Sequence, residues 1–144
     1  FKNSKNKVTE DSPVYAKDNY SKFRIESTRY LIIKKRKLKL NTTVLILFNH
    51  DSKYRNPRFL LPRIIRAIKK KEINFLREIY RQNISGDFSH AEDICNGIYL
   101  LIKKNKNPDK LILSSGQRTY INDIIKIFYE KIKYTKFNKN FKNK

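Results

Sequence analysis

The sequence places a tyrosine four residues before an arginine, Tyr20 and Arg24, at the start of a stretch with helical periodicity. Residues four apart on an α-helix lie on the same face, so the phenol and the guanidinium can project into one site. A fixed positive charge beside a phenol favours the phenolate, and a phenol that deprotonates readily is a usable general base. Taken alone, the pair also fits a solvated basic helix face.

A second set of polar residues follows a short, almost entirely apolar run over residues 42–48. The run is rich in β-branched residues, which is typical of a strand buried on both faces of a parallel sheet. Asn49 and His50 come directly after it, and ligands of open α/β sheets bind outside the carboxyl ends of the strands. We therefore expect these two side chains and Tyr20 to face the same ligand.

The spacing of apolar residues predicts the remaining elements. Helices are predicted over about residues 20–35, 60–71, 91–104 and 121–132. A strand is predicted over 110–114, followed by a turn at Ser115 and Gly116. The weakest pattern lies in 73–90, where we expect a short strand over 79–84 and a turn over 85–87. The order helix, strand, helix, helix, strand, helix predicts an α/β architecture.

The formal net charge of +21 makes nucleic acid and an anionic membrane surface candidate partners. The lysines, however, are spread over almost every segment together with asparagine and isoleucine, which indicates a compositional bias rather than one basic stripe. Four aromatic residues are expected in the core rather than on a stacking platform: Phe23, Phe48, Phe59 and Phe128. A basic, non-catalytic nucleic-acid-binding module is the alternative from a different functional class.

The single cysteine excludes an internal disulfide, and the helical spacing predicts Cys95 to be a buried, unreactive thiol. No apolar run reaches the roughly 18 residues that a membrane span needs. No secretory leader is recognisable, so a cytoplasmic location is expected. The chain contains no methionine and opens without a helix cap, which we interpret as a fragment or a processed product.

Two kinds of binding site are not expected from these residues. The three glycines, Gly86, Gly97 and Gly116, are too far apart to form the glycine-rich turn that holds a dinucleotide. His50 and His90 lie in separate segments without zinc-ligand spacing, so no metal site is expected. His90 is instead expected to cap the helix that follows it.

Four blocks of the sequence resemble a known family. Ser12-Pro13-Val14-Tyr15 with Asp18 to Arg24 resembles the Tyr-x-x-x-Lys active-site segment of extended short-chain dehydrogenase/reductases, the nucleotide-sugar epimerases and dehydratases. Ile46 to Ser52 with Arg55 and Phe59 resembles the Leu-Phe-Asn-His-Glu-Ser-Pro-Arg-Arg-Gly-x-x-Phe segment of GDP-mannose 4,6-dehydratases. Residues 86–94 and 111–125 are similar to two later segments, and the whole resemblance runs from about Thr9 to Tyr134.

The resemblance implies the fold. The chain would be the carboxy-terminal part of an NAD(P)-binding Rossmann-fold enzyme, with an incomplete parallel sheet and a small substrate-binding subdomain. Residues 1–51 would end the Rossmann-like domain, 52–134 would be mostly the subdomain, and 135–144 a disordered basic tail. The helix over 91–104 would return to the Rossmann-like part. An isolated chain of this kind is expected to expose a sheet edge and to associate.

The resemblance also implies residue roles. Tyr20 would take the proton of the hexose C4 hydroxyl, and Arg24, where the family has lysine, would hold the nicotinamide ribose and tune the tyrosine. His50 and Arg55 would contact NADP (or NAD), which would be bound mainly by an amino-terminal half absent from this sequence. The substrate-binding residues would be Asn49, near the phosphates of the sugar nucleotide, and Arg63.

The implied reaction converts GDP-mannose to GDP-4-keto-6-deoxymannose: hydride leaves C4, water is eliminated across C5–C6, and the hydride returns to C6. Another sugar-nucleotide epimerase or dehydratase of the same fold is the first alternative. The expected partners are a GDP-sugar and further copies of the enzyme, not a membrane or a specific nucleic acid.

Three departures argue against activity of the chain alone. Arg24 replaces lysine, and these two cations are not interchangeable at a geometric site. Gly86 replaces an arginine that would pair with substrate phosphate, for which Arg77 or Arg81 is a possible substitute. The family's Ser/Thr-x-Glu segment, which supplies the C5 base, would lie upstream of Phe1. We therefore expect these 144 residues to be inactive by themselves.

Overall fold

The computed structural model of the chain describes residues 7–131, with side chains described up to residue 128. The helices in this range are α1 (Asn19–Leu38), α2 (Leu60–Lys70), α3 (Ile73–Arg81), α4 (Ala91–Lys103) and α5 (Ile121–Lys131). The strands are β1 (Val44–Leu47), β2 (Asn49–Asp51), β3 (Ser85–Gly86), β4 (Phe88–His90), β5 (Lys110–Leu113) and β6 (Thr119–Tyr120). The architecture is α/β, as predicted, and the predicted basic tail over 135–144 lies outside the described residues.

The chain divides into two compact units. Among the described residues, the first comprises 7–48 and Glu92–Gly116, and the second comprises Asn49–Ala91 and 117–131. The first therefore contains α1, β1, β5 and nearly all of α4, and the second contains the remaining elements.

Helix α1 of the first unit begins at a capping box. The Asp18 carboxylate accepts a hydrogen bond from the Ser21 backbone N–H at 2.7 Å, and the Ser21 hydroxyl accepts one from the Asp18 backbone N–H at 3.1 Å. Two backbone N–H groups at the start of the helix, those of Asp18 and Ser21, are thereby satisfied. The predicted start of this helix is confirmed to within one residue.

One stripe of α1 faces its own unit and another faces solvent. Partly or fully covered residues recur at helical spacing: Ser21, Ile25, Thr28, Ile32 and Lys35. A second stripe is apolar but exposed: Tyr20, Phe23, Tyr30, Leu31 and Leu38. The prediction that Phe23 lies in the core is wrong, since it is 64% exposed. Both stripes carry apolar residues at helical spacing, so the spacing alone did not show which stripe is buried.

A buried lysine anchors the end of α1. The Lys35 side chain donates to the backbone carbonyls of Asn107 at 2.7 Å and Pro108 at 2.9 Å. Its ammonium also lies 3.4 Å from an Asp109 carboxylate oxygen, and Arg36 donates to the same carboxylate. A buried ammonium is tolerated only when it is paired and hydrogen-bonded, so this network fixes the helix against the segment before β5.

Strands β1 and β5 pair in parallel, with Val44 opposite Lys110 and Leu47 opposite Leu113. The prediction that β1 is buried on both faces is wrong. Val44 to Ile46 are only partly covered and Leu47 is 41% exposed, because β1 and β5 form a sheet of two strands among the described residues.

Helix α4 confirms its predicted span but not the burial of its cysteine. Ile94 is buried and Gly97 faces β5, where an added Cβ would lie 3.2 Å from a Leu113 methyl carbon. Cys95 is exposed because it follows Ile94 by one position, about 100° around the helix from the buried stripe. The prediction of a buried thiol is therefore wrong.

The core of the second unit lies among α2, α3 and α5. Its buried members are Ile64, Ala67, Ile68, Leu76, Ile79, Ile121 and Ile125. The predicted apolar stripe of α2 is confirmed, and Pro62 falls in the first turn, where proline is tolerated. Partly buried Phe128 packs on this core as predicted, whereas Phe59 is 49% exposed.

Two predictions for residues 73–90 are wrong. The expected strand over 79–84 is largely the end of helix α3, whose Leu76 and Ile79 lie one turn apart and are both buried. The expected turn over 85–87 contains β3, which pairs antiparallel with β6. Asn83, in the left-handed conformation at φ 47°, separates the helix from this strand.

Strand β2 pairs in parallel with β4, so that Asn49 lies opposite Phe88, His50 opposite Ser89 and Asp51 opposite His90. The polar residues that were expected at the carboxyl end of the preceding strand thus form a strand of their own. This pairing fixes the backbone of Asn49 and His50.

Three carboxylates of the first unit have lowered pKa values, and the pKa of Asp18 is lowered by the hydrogen bonds that this carboxylate accepts from Ser21. The Arg36 side chain, by donating to Asp109, holds the pKa of that carboxyl below its ordinary value, although burial acts in the opposite direction. The backbone N–H of Ile112 donates to Glu10 at 2.9 Å and lowers the pKa of that carboxyl. Each group therefore stabilises the fold above its unfolded pKa of about 4 and loses that contribution as pH falls through the lower folded pKa.

We expect the midpoint of thermal unfolding to fall as pH is lowered from about 5 to about 3. Asp109→Asn removes one contributor and should make this fall shallower, while lowering the midpoint at neutral pH. Circular dichroism melts across this range test the prediction, and an unchanged slope in Asp109→Asn would contradict it.

Candidate functional site

Tyr20 and Arg24 lie one turn apart near the start of α1. The Tyr20 side chain is 72% exposed and Arg24 is also exposed. The Arg24 backbone carbonyl accepts a hydrogen bond from the Thr28 hydroxyl at 2.9 Å, within the regular part of the helix. The two side chains are therefore carried by a rigid, capped segment of the first unit.

Asn49 and His50 belong to β2 of the second unit. The Asn49 side-chain amide donates to the Asp87 backbone carbonyl at 3.1 Å. This bond orients the amide and leaves its oxygen as the acceptor. His50 is half-buried on the same strand.

Gly86 lies directly beside the Asn49 amide. An added Cβ would stand 3.1 Å from the Asn49 Nδ2 and 3.2 Å from the Phe88 ring. Both contacts are closer than ordinary packing, so the absence of a side chain here lets Asn49 reach the Asp87 carbonyl. In the sequence, Gly86 was noted only as the residue that replaces an arginine of the family. The structure shows that the missing side chain also makes room for the Asn49 amide.

Arg55 and Arg63 are both positioned by aromatic rings. The Arg55 guanidinium carbon lies 3.7 Å from the centroid of the Phe59 ring, and that of Arg63 lies 4.9 Å from the centroid of Phe75. Stacking orients a guanidinium while leaving its N–H groups able to donate. The Nε of Arg55 is buried and has no hydrogen-bond partner among the described residues.

A cavity of about 720 Å³ lies within the second unit. Residues 51–55, helix α2, the end of β4 and helix α5 each contribute to its wall. Among the predicted site residues, Arg55 lines it, whereas Asn49, His50 and Arg63 do not. Sequence reasoning missed the other polar lining residues, although Arg66 and Lys69 have the spacing of one helix face.

The two arginines considered as substitutes for the missing one lie on α3. Arg77 and Arg81 are one turn apart and line a second pocket of about 410 Å³ with Glu78. Within residues 7–131, no cluster of three or more metal-ligating side chains is found. No helix in that range is long and apolar enough to cross a membrane.

Two solved structures share the fold. The dTDP-glucose 4,6-dehydratase of Bacillus anthracis in complex with NAD aligns at a TM-score of 0.76 and 14% identity, over 91% of this chain and 42% of its own. The UDP-N-acetylglucosamine 4-epimerase of Methanobrevibacter ruminantium in complex with UDP-N-acetylmuramic acid aligns at a TM-score of 0.73 and 16% identity, over 89% of this chain and 42% of its own. The fold is that of the Rossmann-fold extended short-chain dehydrogenase/reductases, the class of NAD-dependent epimerases and dehydratases, as predicted.

The family follows from the sequence match. The chain matches the family described as GDP-mannose 4,6 dehydratase over residues 2–144. Because this match spans nearly the whole chain, the chain belongs to that nucleotide-sugar dehydratase family, which confirms the resemblance drawn from its motifs.

A curated relative supports the same assignment. The GDP-mannose 4,6 dehydratase of Dictyostelium discoideum is 28% identical over 92 residues, which are 60% of this chain and 25% of the relative. The matched region thus spans a quarter of that relative and about two fifths of the two solved chains.

Proposed function

We propose that this chain forms part of a dehydratase that converts GDP-mannose to GDP-4-keto-6-deoxymannose with NADP, or NAD, as hydride carrier. The observation that carries the proposal is the family match over residues 2–144. The first unit would end the cofactor-binding domain, and the second would be the substrate-binding subdomain. The chain is proposed to be cytoplasmic.

In the proposed mechanism Tyr20 takes the proton of the C4 hydroxyl. Arg24, one turn along α1, binds the nicotinamide ribose. A bound nicotinamide cofactor would accept the C4 hydride and return it to C6. No glycine-rich loop occurs among these 144 residues, so we propose that a further cofactor-binding half is needed for activity.

The proposed binding residues follow from their donors and acceptors. Asn49, whose amide is held by Asp87, would donate its second amide N–H to a sugar-nucleotide phosphate and accept a hydrogen bond from a sugar hydroxyl through its oxygen. Arg63, stacked on Phe75, would donate to the nucleotide-sugar. His50 and Arg55 are proposed to contact the cofactor.

The substrate proposal is tested by titrating the chain with GDP-mannose, dTDP-glucose and UDP-N-acetylglucosamine in a calorimeter. GDP-mannose should bind most tightly, and Arg63→Ala should weaken its binding by about tenfold, as expected for a charge-assisted hydrogen bond. Exposed Arg58 provides the matched control, since Arg58→Ala should leave the affinity unchanged. Tighter binding of dTDP-glucose would instead favour another sugar nucleotide and contradict the proposal.

Gly86→Ala is expected to weaken GDP-mannose binding severalfold by pushing the Asn49 amide off the Asp87 carbonyl. Neighbouring Ser85 is exposed, so Ser85→Ala should leave both binding and stability within about 0.5 kcal/mol of wild type. The same titration measures the effect. An unchanged affinity in Gly86→Ala would show that Asn49 is not a substrate contact or that the strand adjusts around the methyl group.

We also propose that the enzyme is a homo-oligomer. The exposed apolar residues of α1 other than Tyr20 form a surface that association would cover, and exposed apolar patches mark interaction sites: Phe23, Tyr30, Leu31 and Leu38. Analytical ultracentrifugation of the chain should give a concentration-dependent mass. A monomer at all concentrations would contradict the proposal.

The net charge of +21 favours one alternative of a different class, a basic nucleic-acid-binding module. Its binding to DNA would fall steeply with salt and would ignore GDP-sugars.

A further inference from the structure

The cavity of the second unit combines charged and apolar walls. Its cations come from two separate elements: Lys53 and Arg55 from the loop after β2, and Arg66 and Lys69 from α2. Asp51 is the carboxylate in the lining, and its oxygen accepts the Ser52 backbone N–H at 2.8 Å. Positive charge therefore prevails on this side of the cavity, which favours an anionic ligand.

Other lining residues of the cavity are apolar. Leu61 and Ile65 of α2 face the cavity together with Ile124 and Phe128 of α5. A free inorganic anion would gain nothing from this surface, whereas a ligand with an apolar or planar portion would bury it. The volume of about 720 Å³ accommodates a molecule of nucleotide or aryl phosphate size.

Two lining residues carry buried polar atoms without a hydrogen-bond partner among the described residues, the Arg55 Nε and the Ser89 hydroxyl. Native proteins leave few buried polar groups unsatisfied, because a buried donor without an acceptor has lost its hydrogen bonds to water without replacement. An N–H and a hydroxyl at one cavity are the donors that phosphate oxygens accept from.

We propose that this cavity binds an organic phosphate, with the phosphate among Lys53, Arg55, Arg66 and Lys69 and its apolar or planar portion against Phe128 and the α2–α5 wall. The inference rests on the proposed function only at Arg55, because Lys53, Arg66, Lys69 and Ser89 have no role in that proposal. The phosphate ester is either part of a nucleotide or a separate small molecule.

The test is calorimetric titration of the chain with phenyl phosphate at constant ionic strength, using neighbouring residues as matched controls. Lys69 lines the cavity and Lys70 does not. We expect Lys69→Ala to weaken phenyl phosphate binding by about tenfold and Lys70→Ala by less than about twofold. Phenol, which lacks the phosphate, should bind far more weakly than phenyl phosphate.

Ser89→Ala separates a binding role from a structural one. It removes a buried hydroxyl without a partner, so the unliganded chain should melt at the same temperature or higher. Binding of phenyl phosphate should nevertheless weaken severalfold. A lower melting temperature with unchanged binding would overturn the proposal, as would equal effects of Lys69→Ala and Lys70→Ala, which would indicate diffuse charge attraction.

Titrations with GDP and NADP identify the source of the phosphate. If Lys69→Ala weakens nucleotide binding as much as phenyl phosphate binding, the natural occupant is a nucleotide; if it weakens phenyl phosphate alone, the occupant is a separate phosphate ester. Either result supports the site. GDP-mannose binding that depends on Arg63 but not Lys69, without phenyl phosphate binding, would overturn this inference and leave the proposed function standing. Phenyl phosphate binding without GDP-mannose binding would support this inference and contradict the proposed function.

Discussion

Tyr20→Phe is expected to lower kcat for the dehydration of GDP-mannose by about 10²–10⁴-fold, the usual contribution of general acid–base catalysis. The measurement is steady-state turnover by this chain combined with the proposed cofactor-binding half. The substitution removes the hydroxyl oxygen from a side chain that is 72% exposed, so the fold should be unaffected. KM should change little, because the proton is transferred in the transition state rather than on binding.

Tyr30 is the matched control for this experiment. It lies on the same helix, is 59% exposed and has no role in the proposed chemistry. Tyr30→Phe should therefore retain wild-type kcat. Equal activities of Tyr20→Phe and wild type would contradict the assignment of the base, and equal losses in both variants would indicate an effect on the helix rather than on proton transfer.

Ile64→Ala is expected to destabilise the chain by about 2–5 kcal/mol, the range measured for removing a large aliphatic side chain from a packed core. Ile64 has no exposed surface and lies at the centre of the α2–α3–α5 core. Domains are stable by only about 5–15 kcal/mol, so the variant should lose a large share of its stability. Urea denaturation followed by circular dichroism measures the change.

Ile33 tests whether this cost comes from burial. It is the same residue type on a helix but is 62% exposed. Ile33→Ala should change the free energy of unfolding by no more than about 0.5 kcal/mol. A similar loss in both variants would contradict the assignment of the core to the second unit.

Local patterns predicted the elements whose structure is decided locally. The helical spacing of apolar residues from Tyr20 onward marks α1, and the same spacing around Ile64 marks α2. Strands β1 and β5 were recognisable as short apolar runs. These signals lie within one or two turns of the chain, so no knowledge of distant contacts was needed.

Distant contacts decided the elements that were predicted wrongly. Residues 79–84 contain isoleucine and tyrosine, which favour strands, yet Leu76 and Ile79 are buried in a core shared with Ile121 and Ile125, some 40 residues away. The local sequence around residues 79–84 does not reveal that Ile121 and Ile125 share this core.

The candidate site was likewise predictable where it lies in one contiguous segment and not where distant segments meet. The motif containing Asn49 and His50 was evident from a contiguous segment, whereas the cavity is assembled from four separate segments. The role of Gly86 depends on Asn49, 37 positions earlier in the chain. The convergence of Tyr20 with Asn49 and His50 is still a prediction, since these residues belong to different units.

Equilibrium binding of the chain to GDP-mannose, with duplex DNA as the competitor over a range of salt concentrations, tests the central claim most directly. A nucleotide-sugar site made of stacked arginines and a fixed asparagine should bind GDP-mannose with a modest salt dependence and resist displacement by DNA at physiological salt. The contrary result would be DNA binding that falls steeply with salt and no detectable affinity for GDP-mannose, dTDP-glucose or UDP-N-acetylglucosamine.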